Sequence, residues 1–217
     1  LYHWDLPKTL ADYGGWTNRE TSKWFGDYTE KVIKCFGDRL YSVATINEPW
    51  CVSWLSHYLG HHAPGLKNLR DAVRSMHFIL LAHGEATCIL KSLGQHNVGI
   101  VLNKQYCQPA TQNPEDISAS QLNDEIHNLW FDQALFKGSY PSRILALFEN
   151  HMPVGFENDL TKISQKLDWL GINYYTRSIT KSDPTEKILG FKSETGSLPK
   201  TDMGWEIFPR GLTTLLE

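Results

Sequence analysis

The sequence predicts an α/β fold of parallel strands with outer helices, forming part of a (β/α)₈ barrel. Three observations carry that expectation. Apolar strand-like runs alternate with helical patterns four times, which implies parallel strands joined by right-handed crossovers. Three of the runs are almost continuously apolar, as strands covered on both faces are. Polar residues gather where each run ends: His3 and Asp5, Asn47 and Glu48, Asn103, then Asn173 with Tyr175. In a barrel those ends converge on one pocket, whereas in an open sheet they spread along an edge. The rival open doubly wound sheet would favour G-x-G-x-x-G after a strand, and none occurs.

The elements follow in order. "LYHW" opens as a strand, and "LPKTLADYGGWT" follows as a loop punctuated by Pro and Gly. Thr17 or Asn18 can cap a helix in which Trp24, Phe25, Tyr28, Val32, Ile33 and Phe36 recur at helical spacing before Gly37. Leu40 to Ile46 is the second strand. "CVSWLSHYLGHHAPG" is a loop or short helix leading to a long helix from about Asn68 to Leu93, closed by Gly94. "VGIVLN" is the third strand. "KQYCQPATQNPED" reads as a polar loop before a helix containing Leu129, Trp130, Phe131 and Leu135. Pro141 starts a short helix, and residues 158–166 hold another. "DWLGINYY" is the fourth strand. About thirty residues of loop follow, and "RGLTTLLE" begins a final helix. A loop of that length in a compact domain is usually functional or mobile. The 217 residues read as a single partial barrel domain.

Composition narrows the function. The chain is 41% hydrophobic and 21% charged, with a net charge of −3 and a pI near 6.3, so nothing points to nucleic acid or an anionic membrane. The longest apolar run, "FILLAH", falls far short of a span. Cys35, Cys51, Cys88 and Cys107 form no C-x-x-C pair. They read as free, mostly buried thiols in a reducing compartment, so a cytoplasmic location is expected. Residue 1 already lies inside a strand-like run, so the chain is expected to be a segment of a longer protein.

The chemistry centres on "TINEPW". A short apolar strand ends abruptly in Asn47 and Glu48, before a proline that cannot donate to a sheet ladder. A carboxyl beside apolar rings has its charged form disfavoured, which suits a general acid. An amide that both donates and accepts matches a sugar hydroxyl. His3 and Trp4 add a hydroxyl partner and a flat apolar face. Asn-Glu-Pro alone is equally compatible with a turn; the other strand ends give it weight. His57, His61 and His62 have no carboxylate or cysteine at metal-ligand spacing and read as loop and packing residues. No cofactor is implied. Asp202 and Glu206 flank "MGW" and read as caps for the following helix.

Taken together, "LYHWDLP", "TINEPW", "HHAPG", "GIVLN", "WLGINYYT" and "TDMGWEIFPRGL" resemble, in order and spacing, glycoside hydrolase family 1, the β-glucosidase family. "WFDQALFKGSYP" resembles a further family segment, although the family often has Asp-Pro where Gln133 and Ala134 stand. The resemblance implies a (β/α)₈ barrel that hydrolyses β-glycosides with retention. It implies Glu48 as general acid/base, Asn47 on the sugar 2-hydroxyl, His3 and Trp4 on the glycone, and Tyr175 bonded to the nucleophile. Asn173 would line the same pocket. Trp50, Trp205 and Asn103 would lie on the aglycone side.

The family's nucleophile sits in a Thr-Glu-Asn-Gly stretch ending the seventh strand, and this sequence contains none. "SETG", with Glu194, follows a polar loop and is rejected. The resemblance covers the third to sixth barrel strands, so the segment alone is expected to be inactive, with exposed barrel edges through which it self-associates. Two other readings stay open: a non-catalytic sugar-binding relative, and a half-barrel that needs a partner chain.

Overall fold

The computed structural model describes all 217 residues. Its elements are α1 (Lys8–Asp12), α2 (Glu20–Phe36), β1 (Val43–Asn47), α3 (Leu69–Ser92), β2 (Val98–Pro109), α4 (Pro114–Asp124), α5 (Trp130–Lys137), α6 (Ser142–Phe148), α7 (Leu160–Ile163), β3 (Trp169–Ser182), β4 (Phe191–Glu194) and α8 (Arg210–Leu216). The sheet runs β1-β2-β3-β4; the first three strands are parallel and β4 is antiparallel to β3. This is a partial (β/α)₈ wall with helices on its outside, as expected.

Local chemistry explains the helices. Asn18 Oδ1 accepts the Glu20 N–H at 3.0 Å. Asn68 Oδ1 accepts the Asp71 N–H at 3.1 Å, capping α3, and Gly94 follows that helix at φ 82°. The buried face of α2 differs from the expected one. Phe25 and Ile33 are buried, but Tyr28 and Phe36 are exposed, and Thr21, Ser22, Gly26 and Thr29 face inward instead. The cause is close approach to α3: Ser22 Oγ donates to Phe78 O at 2.9 Å, and a Cβ on Gly26 would meet Ile89 at 3.0 Å. Around α3 lies the main core, where Trp130 and Tyr140 stack with centroids 4.0 Å apart.

Several strand expectations change. "LYHW" shrinks to one parallel bridge, Tyr2 to Ile46, because Trp4 turns to φ 80°. The expected polar loop "KQYCQP" continues β2. The first residues of the expected thirty-residue loop continue β3, with Tyr106 to Pro109 opposite Arg177 to Thr180. Phe191 to Glu194 then folds back on β3 as β4. Polar residues suit these extensions, which are only half-buried. The thiols are less buried than expected: Cys51 is buried, Cys88 and Cys107 are intermediate, and Cys35 is exposed.

On β2 and β3 the register places Gly99 beside Trp169, Val101 beside Gly171, and Asn103 beside Asn173. The Trp169 indole lies across this layer: a Cβ on Gly99 would overlap its ring, and one on Gly171 would meet Val101 Cγ2 at 2.9 Å. Large and small residues thus share one layer, and the next layer toward the strand ends is amide.

Candidate active site

Only two non-glycine residues have positive φ, Trp4 at 80° and Glu48 at 51°. Each lies two residues beyond the Tyr2–Ile46 bridge. Such conformations cost roughly 1–3 kcal/mol and persist where the surroundings over-determine them. The surroundings here are explicit. Glu48 N–H donates to Val101 O at 2.8 Å, and Glu48 O accepts from Cys51 N and Val52 N at 2.9 and 3.2 Å. The Trp4 indole N–H donates to Asn47 O at 2.9 Å.

Those bonds turn the Glu48 side chain across to β3. The residue is 3% exposed. Oε1 accepts from Asn173 Nδ2 at 2.6 Å and from the Tyr175 hydroxyl at 3.2 Å. Oε2 accepts from Cys51 Sγ at 3.3 Å. Asn173 Nδ2 also reaches Asn47 Oδ1 at 3.3 Å. Burial, then the Glu48 charge and hydrogen bond, raise the Tyr175 phenol above its ordinary value. In this chain Tyr175 therefore donates to Glu48; the resemblance implies a nucleophile, which these residues do not contain, as a further partner.

The remaining candidates form the surroundings. Trp205 lies 5.3 Å from the Tyr175 ring. His3 is exposed and its ring lies 5.0 Å from that of Trp4; the Trp4 ring also lies 5.2 Å from His62. Trp50 lies tilted against His127, ring centroids 4.3 Å apart at an interplanar angle of 39°, with its indole N–H unpaired. Asn103 is buried, with Nδ2 3.3 Å from His127 Nε2. Burial pushes His127 down to about 3, so its ring is neutral and can accept from Asn103. A cavity of about 740 Å³ is lined by Trp4, Trp16, His57 and His62 among others, but not by Glu48 or Asn173. The cluster thus lines a wall rather than that cavity.

Two of these contacts were not anticipated. Cys51 stands one turn after Glu48, a spacing visible in the sequence. His127 is 24 residues from Asn103 and carries no local signal. Both sit in π-helical turns, Cys51–Leu55 and Glu125–Leu129, a form that often marks functional sites. Glu206 is not a helix cap. It is 4% exposed and accepts from Arg177 Nε and Leu198 N, both at 2.7 Å. Arg177 stacks over Phe208 at 4.5 Å, so these residues anchor the segment that carries Trp205. His57 is buried, with Nδ1 3.1 Å from Ser53 O.

Chemically, the arrangement offers one buried carboxyl, two amides able to pair with hydroxyls, and flanking indoles. Comparison with known proteins agrees in kind. The model for Glycosyl hydrolase family 1 matches residues 1–217. A β-glucosidase of Agrobacterium sp. is 42% identical over 221 residues, covering all of this chain and 48% of the relative. β-Glucosidase A of Thermotoga maritima is 37% identical, covering all of this chain and 49% of its own length. A solved family 1 β-glucosidase from Thermotoga maritima superposes with TM-score 0.94 at 36% identity, over all of this chain and 49% of that one. Another structure of the enzyme, complexed with a cyclophellitol analogue transition state mimic, gives 0.95 at 37% with the same coverage. The chain spans about half the length of the curated relatives it matches.

Proposed function

Because this chain belongs to glycosyl hydrolase family 1, we propose that it forms the acid/base half of a retaining β-glycosidase acting on terminal β-D-glycosides. Glu48 is the general acid/base. In the first step a carboxylate attacks the anomeric carbon. The glycosidic C–O bond breaks with its electron pair on the leaving oxygen, which takes the Glu48 proton. In the second step Glu48 takes a proton from water, the water oxygen bonds to the anomeric carbon, and the carboxylate leaves.

Retention requires the two carboxyls about 5–5.5 Å apart. No Thr-Glu-Asn-Gly stretch occurs here, so in this reading the attacking carboxylate is supplied from outside these 217 residues. Asn47 and Asn173 present amides to sugar hydroxyls, with His3 and Trp4 on the glycone. Tyr175 supports the carboxylate pair once both are present. Trp50, Trp205 and Asn103 flank the aglycone. A solved Thermotoga maritima β-glucosidase is in complex with deoxynojirimycin and another solved structure with a cyclophellitol analogue transition state mimic, which supports a glycoside substrate.

The observation that carries this reading is Glu48, a residue 3% exposed just past the end of β1, whose carboxyl is held by Asn173 and Tyr175. The test has two arms. Joined to a strand bearing the second carboxylate, the protein hydrolyses β-glycosides with retention, read by NMR of the first-formed anomer. There Glu48→Gln lowers kcat by about 10²–10⁴ on poor leaving groups and far less on activated ones, which need no proton. The 217-residue chain alone shows no hydrolysis. An inverted product, or aryl-β-glucoside cleavage by the chain alone that Glu48→Gln abolishes, would count against the proposal.

A further inference from the structure

The two oxygens of Glu48 face chemically different partners. Oε1 meets Asn173 Nδ2 and the Tyr175 hydroxyl. Oε2 meets a thiol, Cys51 Sγ at 3.3 Å. The second contact of Asn173 Nδ2, to Asn47 Oδ1, sets the amide with its NH₂ toward Glu48. An amide nitrogen offers no lone pair, so a proton placed on Oε1 would oppose the Asn173 N–H at 2.6 Å and could be accepted there only by a reversed Tyr175 hydroxyl, the longer of the two contacts at 3.2 Å. A thiol imposes no such conflict. It donates S–H to a carboxylate; when that oxygen is protonated, it turns about Cβ–Sγ and presents a sulfur lone pair.

We infer that Cys51 is a positioning residue for the acid/base carboxyl, holding Glu48 Oε2 in both protonation states and thereby selecting it as the oxygen that carries the proton. The inference rests on the acid/base role of Glu48 proposed above. Three features support it. The Cys51 backbone is pinned on both sides, by N–H to Glu48 O at 2.9 Å and by Ser56 Oγ donating to its carbonyl at 2.8 Å. The residue is 8% exposed and free of any disulfide. Burial first, then the charge and hydrogen bond of Glu48, push the thiol up, so it keeps its hydrogen through the working pH range. The titratable groups that meet Glu48 are Tyr175 from β3 and Cys51 from its own turn. A thiol is a weaker donor than a hydroxyl, so it steadies Oε2 without strongly favouring the charged form.

The test reads the S–H stretching band by infrared spectroscopy on this chain. The Cys51 component is the one lost in Cys51→Ser. It should shift reversibly as acid protonates Glu48, and Glu48→Gln should abolish that response. If Cys51→Ser fails to fold, the acid-responsive component of the native chain, compared with Glu48→Gln, gives the same answer. A thiol band that ignores acid, or responds equally in Glu48→Gln, overturns the inference.

In the hydrolytically complete protein, Cys51→Ser should move the basic limb of kcat/KM to lower pH by about half a unit, because a stronger donor favours the charged carboxyl. Cys51→Val should move it higher, with KM little changed in both. Hydrolysis with the limb unmoved in both variants defeats this inference and spares the glycosidase reading. A band that answers to Glu48 in a protein without hydrolysis does the reverse.

Discussion

His83 and His127 are held neutral by burial, each pushed down to about 3 from an ordinary 6.5. His83 Nδ1 pairs with Thr45 Oγ1 at 2.7 Å behind β1, and its Nε2 has no partner. His127 accepts from Asn103 and packs against the tilted Trp50 ring. Both folded values lie below the unfolded one, so the unfolded chain binds protons that the folded chain refuses. Stability is therefore full above about pH 6.5 and is lost as pH falls through the window down to about 3, at about 1.4 kcal/mol per pH unit for each group. Urea unfolding between about pH 6 and 4 should show nearly that slope, and His127→Asn should make it shallower by about one group's share. Equal slopes in the two proteins would contradict the neutral assignment. These histidines were legible in the sequence only as residues of a helical pattern. Their partners come from other elements, and burial is a property no local spacing encodes.

Among the elements, α3 is where sequence and structure agree most closely. Its cap at Asn68 and its stop at Gly94 are local chemistry, and both hold within a residue. The segments beyond the barrel layer agree least. β2 and β3 continue past Asn103 and Tyr175 because their polar halves pair with each other, so neither half shows apolar strand character. One tie between helices was also hidden. Asp159, just before α7, takes a paired hydrogen bond from Arg19, which precedes α2. It also lies 2.9 Å from His77 Nε2 on α3, while His77 Nδ1 meets the Tyr140 hydroxyl at 2.7 Å. Burial raises the Asp159 carboxyl, but the bonds from His77 and Arg19 outweigh it and bring it down to about 2. Its contribution is present above the ordinary 3.8 and lost as pH falls through about 2. Asp159→Asn should destabilise the chain by about 2–3 kcal/mol in urea unfolding at neutral pH. That is below the figure for a fully buried pair, because Arg19 is half-exposed. A loss under about 0.5 kcal/mol would show the tie to be cosmetic.

At the scale of the molecule, the sheet has two open margins. Beyond β1 there is only the bridge to Tyr2. On its far side β3 is paired by β4 only from Ile179 to Ser182, leaving Trp169 to Tyr175 unpaired there. Unpaired strand edges template further pairing, so we propose that the 217-residue chain self-associates through them. Sedimentation velocity over a concentration series should show mass rising with concentration. A single monomeric species throughout would argue that the edges are protected.

The sequence alone established the barrel class, the family, and the grouping of Asn47, Glu48, Asn103, Asn173 and Tyr175 where the apolar part of each strand stops, because apolar periodicity and short motifs are local signals; β2 and β3 themselves run on to Pro109 and Ser182. Contacts between strands had to come from folding. That Asn173 and Tyr175 close on one oxygen of Glu48 and Cys51 on the other depends on register between β1, β2 and β3 and on a positive φ at Glu48. Register and backbone strain arise from many distant contacts at once, and no short stretch of residues carries them.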